Sequence, residues 1–257
     1  MNEVSEKKHP PFWHDIGSIV VAVLVALVVR TVAAEPFNVP SASMVPTLLI
    51  GDTMIAGKYA YGFSKFSSPV DFVPNALGDR LPGRILEQPA KRGDVIVFKL
   101  PRDTSINYVK RLIGVPGDRV QVKEGRLFVN GEMLPRREDG DYSGDLGMRT
   151  LLSHRYVETL PGGLEHKIIE DSDAATLDDT AEFTVPPGHY FMMGDNRDNS
   201  LDSRVPAIAG GVGFVPAQNL VGRVDRIMYS RDLDAPWWDF GAMARGIRGE
   251  RFFAAVE

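Results

Sequence analysis

Residues 108–134 read YVKRLIGVPGDRVQVKEGRLFVNGEML, and the punctuation of this stretch decides the fold. Three short runs rich in β-branched and aliphatic residues, Tyr108–Val115, Arg119–Val122 and Arg126–Val129, are separated by Gly- and Pro-containing turns, which is the pattern of strands rather than helices. Asn130-Gly131 then lies between Phe128-Val129 and Glu132-Met133-Leu134, a strong signal for a tight hairpin. Outward from here the same texture recurs at Asp94–Phe98, Tyr190–Met193 and Leu220–Met228. No long amphipathic helix and no repeat period follow Ala34, so the chain reads as mainly β.

The amino-terminal end is different. From Ile16 to Val29 there is no charge, and apart from Arg30 and Thr31 the apolar character continues to Ala34. As a helix at about 1.5 Å per residue, residues 16–34 reach roughly 28 Å, close to the thickness of a bilayer core. Arg30 can snorkel from the exit end, and Lys7 and Lys8 before the segment favour an inside amino terminus. A cleaved secretory signal ending at Val32-Ala33-Ala34 is the competing reading; both readings send the remainder across the membrane.

The expected organisation is a cytoplasmic tail (1–15), a transmembrane helix (16–34), an antiparallel β-sheet core (35–120 and 187–257) and an inserted β-rich subdomain (121–186). Two stretches look like additions on the solvent side: Tyr59–Lys91, rich in Gly, Pro and Ser, and the acidic, weakly patterned residues 135–185. The tail around Trp237-Trp238-Asp239-Phe240 and Phe252-Phe253 suits either core packing or a membrane interface.

Composition narrows the chemistry. The 257 residues carry a net charge of -5, so no global basic field supports a nucleic-acid partner. The absence of cysteine removes disulfides, thiolate metal sites and a Cys nucleophile. The Asp/Asn-rich loop Gly194–Arg204 invites a calcium reading, but against an EF-hand Ser203 replaces the required Gly and Ala209 stands where the final Glu belongs. No metal and no cofactor are expected; such a loop suits a network of side-chain to backbone bonds, with Asp202 and Arg204 paired.

Ser43, in Pro40-Ser41-Ala42-Ser43-Met44-Val45-Pro46, is on its own an ordinary turn serine. A serine hydroxyl needs a base to become a nucleophile. Of the five histidines, His9 and His14 precede the span, His154 and His166 lie in the weakly patterned region, and His189 enters a strand from a Pro-Pro-Gly turn; no Gly-x-Ser-x-Gly elbow is present. Lys110 is the other route, because burial among apolar residues disfavours its charged form and lowers its pKa toward neutrality. Strand alternation sends Tyr108, Lys110 and Leu112 to one face and Val109, Arg111 and Ile113 to the other. The ordinary alternative is a lysine on the wet face of an edge strand.

Together the span, the box Phe37–Met44, Arg92–Phe98, the lysine box Tyr108–Asp118 and Gly194–Arg204 resemble the bacterial type I signal peptidases, the leader peptidases. The matching boxes fall within 35–120 and 188–228. The resemblance implies a membrane-bound serine endopeptidase using a Ser-Lys dyad, in which Ser43 attacks the scissile carbonyl of an exported preprotein and Lys110 takes its proton. It implies an oxyanion hole from Ser41 and the Ser43 backbone N–H, a lysine-orienting Ser200, and Asp202 and Arg204 bracing that loop. Small apolar pockets would be shaped by Val39, Pro40, Met44, Leu48, Tyr108 and Val109, with Phe37, Met54 and Val97 toward the second. Partners would be exported preproteins and the lipid bilayer, with the chain single-pass in the inner membrane and its catalytic domain on the periplasmic or outer side. The chain departs from the family at Ala42, where glycine is common, and at Val205–Val212, which is longer than expected. Other readings with the same core are a specialised processing peptidase, a self-cleaving repressor-type protease, disfavoured by the anchor, and a non-catalytic anchored module, disfavoured by Ser43, Lys110 and Ser200 together.

Overall fold

A computed structural model describes residues 17–23, 34–64, 66, 84, 86–145, 150–233 and 238–256. The fold is mainly β, and every pairing between its strands is antiparallel. A seven-stranded sheet has the order β1-β2-β14-β3-β4-β12-β13, built from β1 (Ala34–Asn38), β2 (Asp52–Gly57), β3 (Val95–Leu100), β4 (Asp103–Gly114), β12 (His189–Met193), β13 (Val215–Pro216) and β14 (Leu220–Ser230). Beside it lie a four-stranded sheet, β11-β5-β6-β7, and a three-stranded sheet, β10-β9-β8. The first comprises β5 (Arg119–Lys123), β6 (Arg126–Val129), β7 (Glu132–Met133) and β11 (Phe183–Thr184); the second comprises β8 (Arg136–Asp145), β9 (Thr150–Thr159) and β10 (Glu165–Glu170).

All six strands expected from β-branched runs are present, several extended by a few residues. The hairpin turn at Asn130-Gly131 has positive φ at both residues, 55° and 86°, which the mirror-image two-residue turn requires and which asparagine and glycine tolerate. Glu35-Pro36 lies inside β1. The proline is accommodated because β1 is an edge strand with a neighbour on one side only.

The stretch 135–185, weakly patterned in sequence, contains β8, β9 and β10. Their register is interrupted by a bulge between Glu138 and Asp141, and their cross-strand bonds include ion pairs such as Arg155–Asp139 at 2.8 Å, so simple apolar alternation is lost.

Two apolar clusters back the large sheet near the site. One joins Val39, Met44, Leu48, Met54, Val97 and Val109 to Val221, Val224 and Ile227 of β14; the other joins Ile113 and Phe191 to Val120, Val122 and Leu127 of the four-stranded sheet. The C-terminal segment packs as well: Ala254 and Val256 lie against the first cluster, Ile227 N–H donates to Ala254 O at 2.9 Å, and Val256 N–H donates to Asp225 O at 3.1 Å. Trp238, Phe252 and Phe253 stay exposed, and Trp237 lies outside the described residues.

Of the expected span 16–34, residues 17–23 are helical with exposed apolar side chains, 24–33 lie outside the described residues, as does the tail 1–15, and Ala34 already belongs to β1. No helix among the described residues is long and apolar enough to cross a membrane.

Candidate active site

Ser43 sits in a short 3-10 turn, Ala42–Met44, in the connection between β1 and β2. The turn closes with Val45 N–H donating to Ala42 O at 3.1 Å, and Leu48 N–H to Met44 O at 2.8 Å continues the winding. Ala42, Ser43 and Met44 are all buried, so the apolar neighbours of the serine pin the turn from below. Opposite stands Lys110 on β4, a strand flanked in the sheet by β3 and β12.

Lys110 Nζ and Ser43 Oγ are in direct hydrogen-bond contact. Lys110 is only 3% exposed, which rules out the wet edge-strand reading. Burial pushes its pKa down to about 8; Arg204 adds to the depression, while the carboxylates of Asp202 and Asp195 oppose it. Ser41 Oγ lies 3.3 Å from Ser43 Oγ, on the exposed side of the turn.

The loop after β12 holds the turn in place. Asn196 donates twice to it, from its backbone N–H to Ser43 O at 3.1 Å and from Nδ2 to Ala42 O at 3.2 Å. Asp195 accepts two 2.8 Å bonds from the Arg111 guanidinium and one of 2.5 Å from Thr47 Oγ1. Burial disfavours the Asp195 anion, but Arg111 outweighs it and holds the carboxyl below the usual carboxylate range. Arg111 also donates to Gly93 O at 2.9 Å, so neighbouring cations on β4 serve opposite ends, one at the serine and one in a structural lock.

Asp202 and Arg204 pair as expected, through Nε to Oδ1 at 3.0 Å and Nη2 to Oδ2 at 2.9 Å, and Gly194 N–H donates to Asp202 Oδ2 at 3.1 Å. Ser200 is buried against the site but differs from expectation: its Oγ makes no hydrogen bond, to Lys110 or to any other described residue. It is packed close to Gly194, where an added Cβ would lie 2.2 Å from Ser200 Oγ and 2.5 Å from Ser43 O.

A cavity of about 230 Å³ opens over Ser43 and Lys110. Phe37, Pro40, Met54, Val97, Tyr108 and Val109 line it, as the sequence suggests. Val39, Met44 and Leu48 do not; they lie beneath in the apolar cluster, each at most 2% exposed, because their side chains are consumed in fixing the serine turn to the sheet. Sequence reasoning missed Asn38, Asn107, Asn199 and Leu201 on the cavity walls and Asn196 behind the serine. The density of Asp and Asn in Gly194–Arg204 was the only signal for the last of these.

The three histidines among the described residues lie elsewhere. His154 is exposed beside Asp141 at 3.1 Å, His189 Nδ1 meets Pro187 O at 2.9 Å, and His166 is buried near Glu158, where burial pushes its pKa down to about 4. No cluster of three or more metal-ligating side chains occurs among the described residues.

The chain matches a family described as signal peptidase, peptidase S26, over residues 13–229. It is 37% identical over 246 residues to a signal peptidase I of Rickettsia typhi, covering 93% of this chain and 88% of the relative. To a signal peptidase I of Rickettsia conorii it is 38% identical over 230 residues, covering 87% and 81%.

Proposed function

This chain belongs to the signal peptidase family, peptidase S26, and from that premise we propose that its chemistry is carried by Ser43 as nucleophile and Lys110 as general base. It is a serine endopeptidase that removes signal peptides from preproteins. The observation that supports the dyad most is the contact of Lys110 Nζ with Ser43 Oγ in a pocket dry enough to bring the amine to a pKa of about 8.

In this reading the neutral Lys110 amine takes the Ser43 proton as Oγ attacks the scissile carbonyl. The developing oxyanion is met by Ser41 Oγ and the Ser43 backbone N–H, donors aimed at a charge that exists only after attack. Protonated Lys110 then delivers its proton to the leaving amine, and water hydrolyses the acyl-serine by the same route. Ser200 orients the Lys110 amine, a role its unclaimed hydroxyl leaves open, while Asp202 and Arg204 keep the loop closed. The apolar cavity selects small residues near the cut, with the substrate extended between the segments bearing Pro40 and Val109.

The same reading divides the chain into a catalytic core, 35–120 and 187–257, and an inserted subdomain, 121–186. The pairing of Val120 with Phe183 supports this, since it brings the two ends of the inserted segment side by side. The apolar segment that precedes β1 anchors the chain in the inner membrane, amino terminus inside and the Ser43 turn on the outer side.

Cleavage of a test preprotein by wild type, Ser43→Ala, Lys110→Ala and His189→Ala tests the dyad. Wild type and His189→Ala cut, while the other two stay folded and inactive; normal cleavage by Lys110→Ala refutes the assignment of the base.

A further inference from the structure

The three-stranded sheet makes a contact that the chemistry described so far does not use. Glu158, on β9, is 2% exposed and grips Arg197 with both oxygens, Nη1 to Oε1 at 3.0 Å and Nη2 to Oε2 at 2.5 Å. Arg197 follows Asn196, the residue that donates to the carbonyls of both Ala42 and Ser43.

The backbone is joined at the same place. Ile169 of β10 forms a parallel bridge to Asn196, with Ile169 N–H donating to Asp195 O at 2.9 Å and Arg197 N–H donating to Ile169 O at 3.0 Å. The carbonyl of Arg197 in turn accepts from Arg204 Nη2, tying the ion pair to the Asp202–Arg204 brace. Thus the sheet does not merely cover the loop: it fixes the residues on either side of Asn196.

We infer that Glu158, acting through Arg197 and Asn196, is a positioning residue for Ser43, so that the three-stranded sheet belongs to the catalytic machinery. This inference rests on the reading of Ser43 as nucleophile. Neutralising Glu158 leaves a buried guanidinium short of its counter-charge, and the loop relaxes to find one. Asn196 moves with it, and Ser43 loses the backbone anchor that sets its attack angle. Glu158 lines neither the cavity nor the Lys110 contact, so substrate affinity and the base are left alone.

The test compares kcat and KM on a preprotein for the full-length chain carrying Glu158→Gln, with the unfolding midpoint recorded in the same buffer. Positioning predicts a fall in kcat of about tenfold to a hundredfold, measured well below the unfolding midpoint, with KM within about twofold of wild type. Glu182→Gln is the comparison, since the Arg119–Glu182 pair, 3.6 Å apart and exposed, lies outside that sheet and leaves the fork intact; its kcat stays near wild type. If Glu158→Gln does not fold, Arg197→Lys replaces it, keeping the charge but not the fork, and the same fall in kcat is expected. A folded Glu158→Gln, or Arg197→Lys in its place, with wild-type kcat overturns the inference. Ser43→Ala run in parallel separates the two claims: if it is inactive while Glu158→Gln cuts normally, the nucleophile stands and only the positioning role falls; if it cuts, the nucleophile reading itself fails.

Discussion

Arg111 and Asp195 meet through two hydrogen bonds of 2.8 Å with no more than 1% of either side chain exposed. The pair joins β4, the strand of Lys110, to the loop whose next residue, Asn196, holds Ser43. The two halves of the proposed dyad are therefore registered against each other by a lock that touches neither reacting atom.

Asp195→Asn removes the charge that Arg111 is buried against. The expected cost is about 3–5 kcal/mol of folding stability, because a buried guanidinium loses the carboxylate that grips it in a dry site. Denaturant unfolding measures it; a loss under about 1 kcal/mol would mean that water reaches Arg111 freely.

The pKa of about 8 at Lys110 gives activity a direction with pH. Only the neutral amine can take a proton, so kcat/KM rises through a limb centred near pH 8 and falls about tenfold per pH unit below it. The same shift links to stability. The unfolded lysine, at its ordinary 10.5, binds more protons than the folded one between pH 8 and 10.5, so this group's contribution makes folding more favourable as pH rises through that window. A pH–rate profile with no limb between pH 7 and 9 would be incompatible with Lys110 as base.

Gly194 has no room for a side chain. A Cβ there would meet Ser200 Oγ at 2.2 Å, Ser200 Cβ at 2.5 Å and Ser43 O at 2.5 Å. Gly194→Ala is expected to reduce kcat on the order of a hundredfold by displacing the serine turn. Adding Ser200→Gly relieves two of the three contacts but leaves the one with the Ser43 carbonyl and removes the hydroxyl proposed to orient Lys110, so the double variant stays impaired; full rescue would refute both the displacement of the serine turn and that role of Ser200.

Met54 is both wall and core: it lines the cavity and is 2% exposed. Met54→Ala is expected to cost about 2–5 kcal/mol and to enlarge the cavity. In competition, preproteins with Val or Leu near the cut should gain on those with Ala by about tenfold. An unchanged preference ratio removes Met54 from the specificity wall.

Much of this was legible in the sequence because strand periodicity and turn chemistry are local. Asn130-Gly131 specifies its own backbone, and Tyr108–Val115 marks a strand, although whether Lys110 on it is dry or on a wet edge was settled only by its burial. The boxes around Ser43, Lys110 and Gly194–Arg204 were readable as a site only through their joint resemblance to a known family, since Ser43 alone reads as a turn serine. What resisted was non-local. Strands β8 to β10 are held by cross-strand ion pairs and a bulge, neither of which leaves a period, and the Glu158–Arg197 fork joins residues 39 apart with nothing in either neighbourhood to announce the other. Val39, Met44 and Leu48 read equally well as pocket or as floor, since an apolar residue beside a serine does not reveal its depth.

Arg251 donates to both oxygens of Asp52 and, at 3.0 Å, to Thr47 O, while Arg248 donates to Ile50 O at 2.9 Å. These contacts reach back across about two hundred residues to the segment that leaves the serine turn. During synthesis, a ribosome that has finished β14 has made every strand of the large sheet, yet Asp52 still lacks its counter-ion. Arg248 and Arg251 thus fasten the segment that leaves the serine turn only after the last strand has been made, and a chain cut just after β14 would hold every strand of the large sheet and lack that fastening.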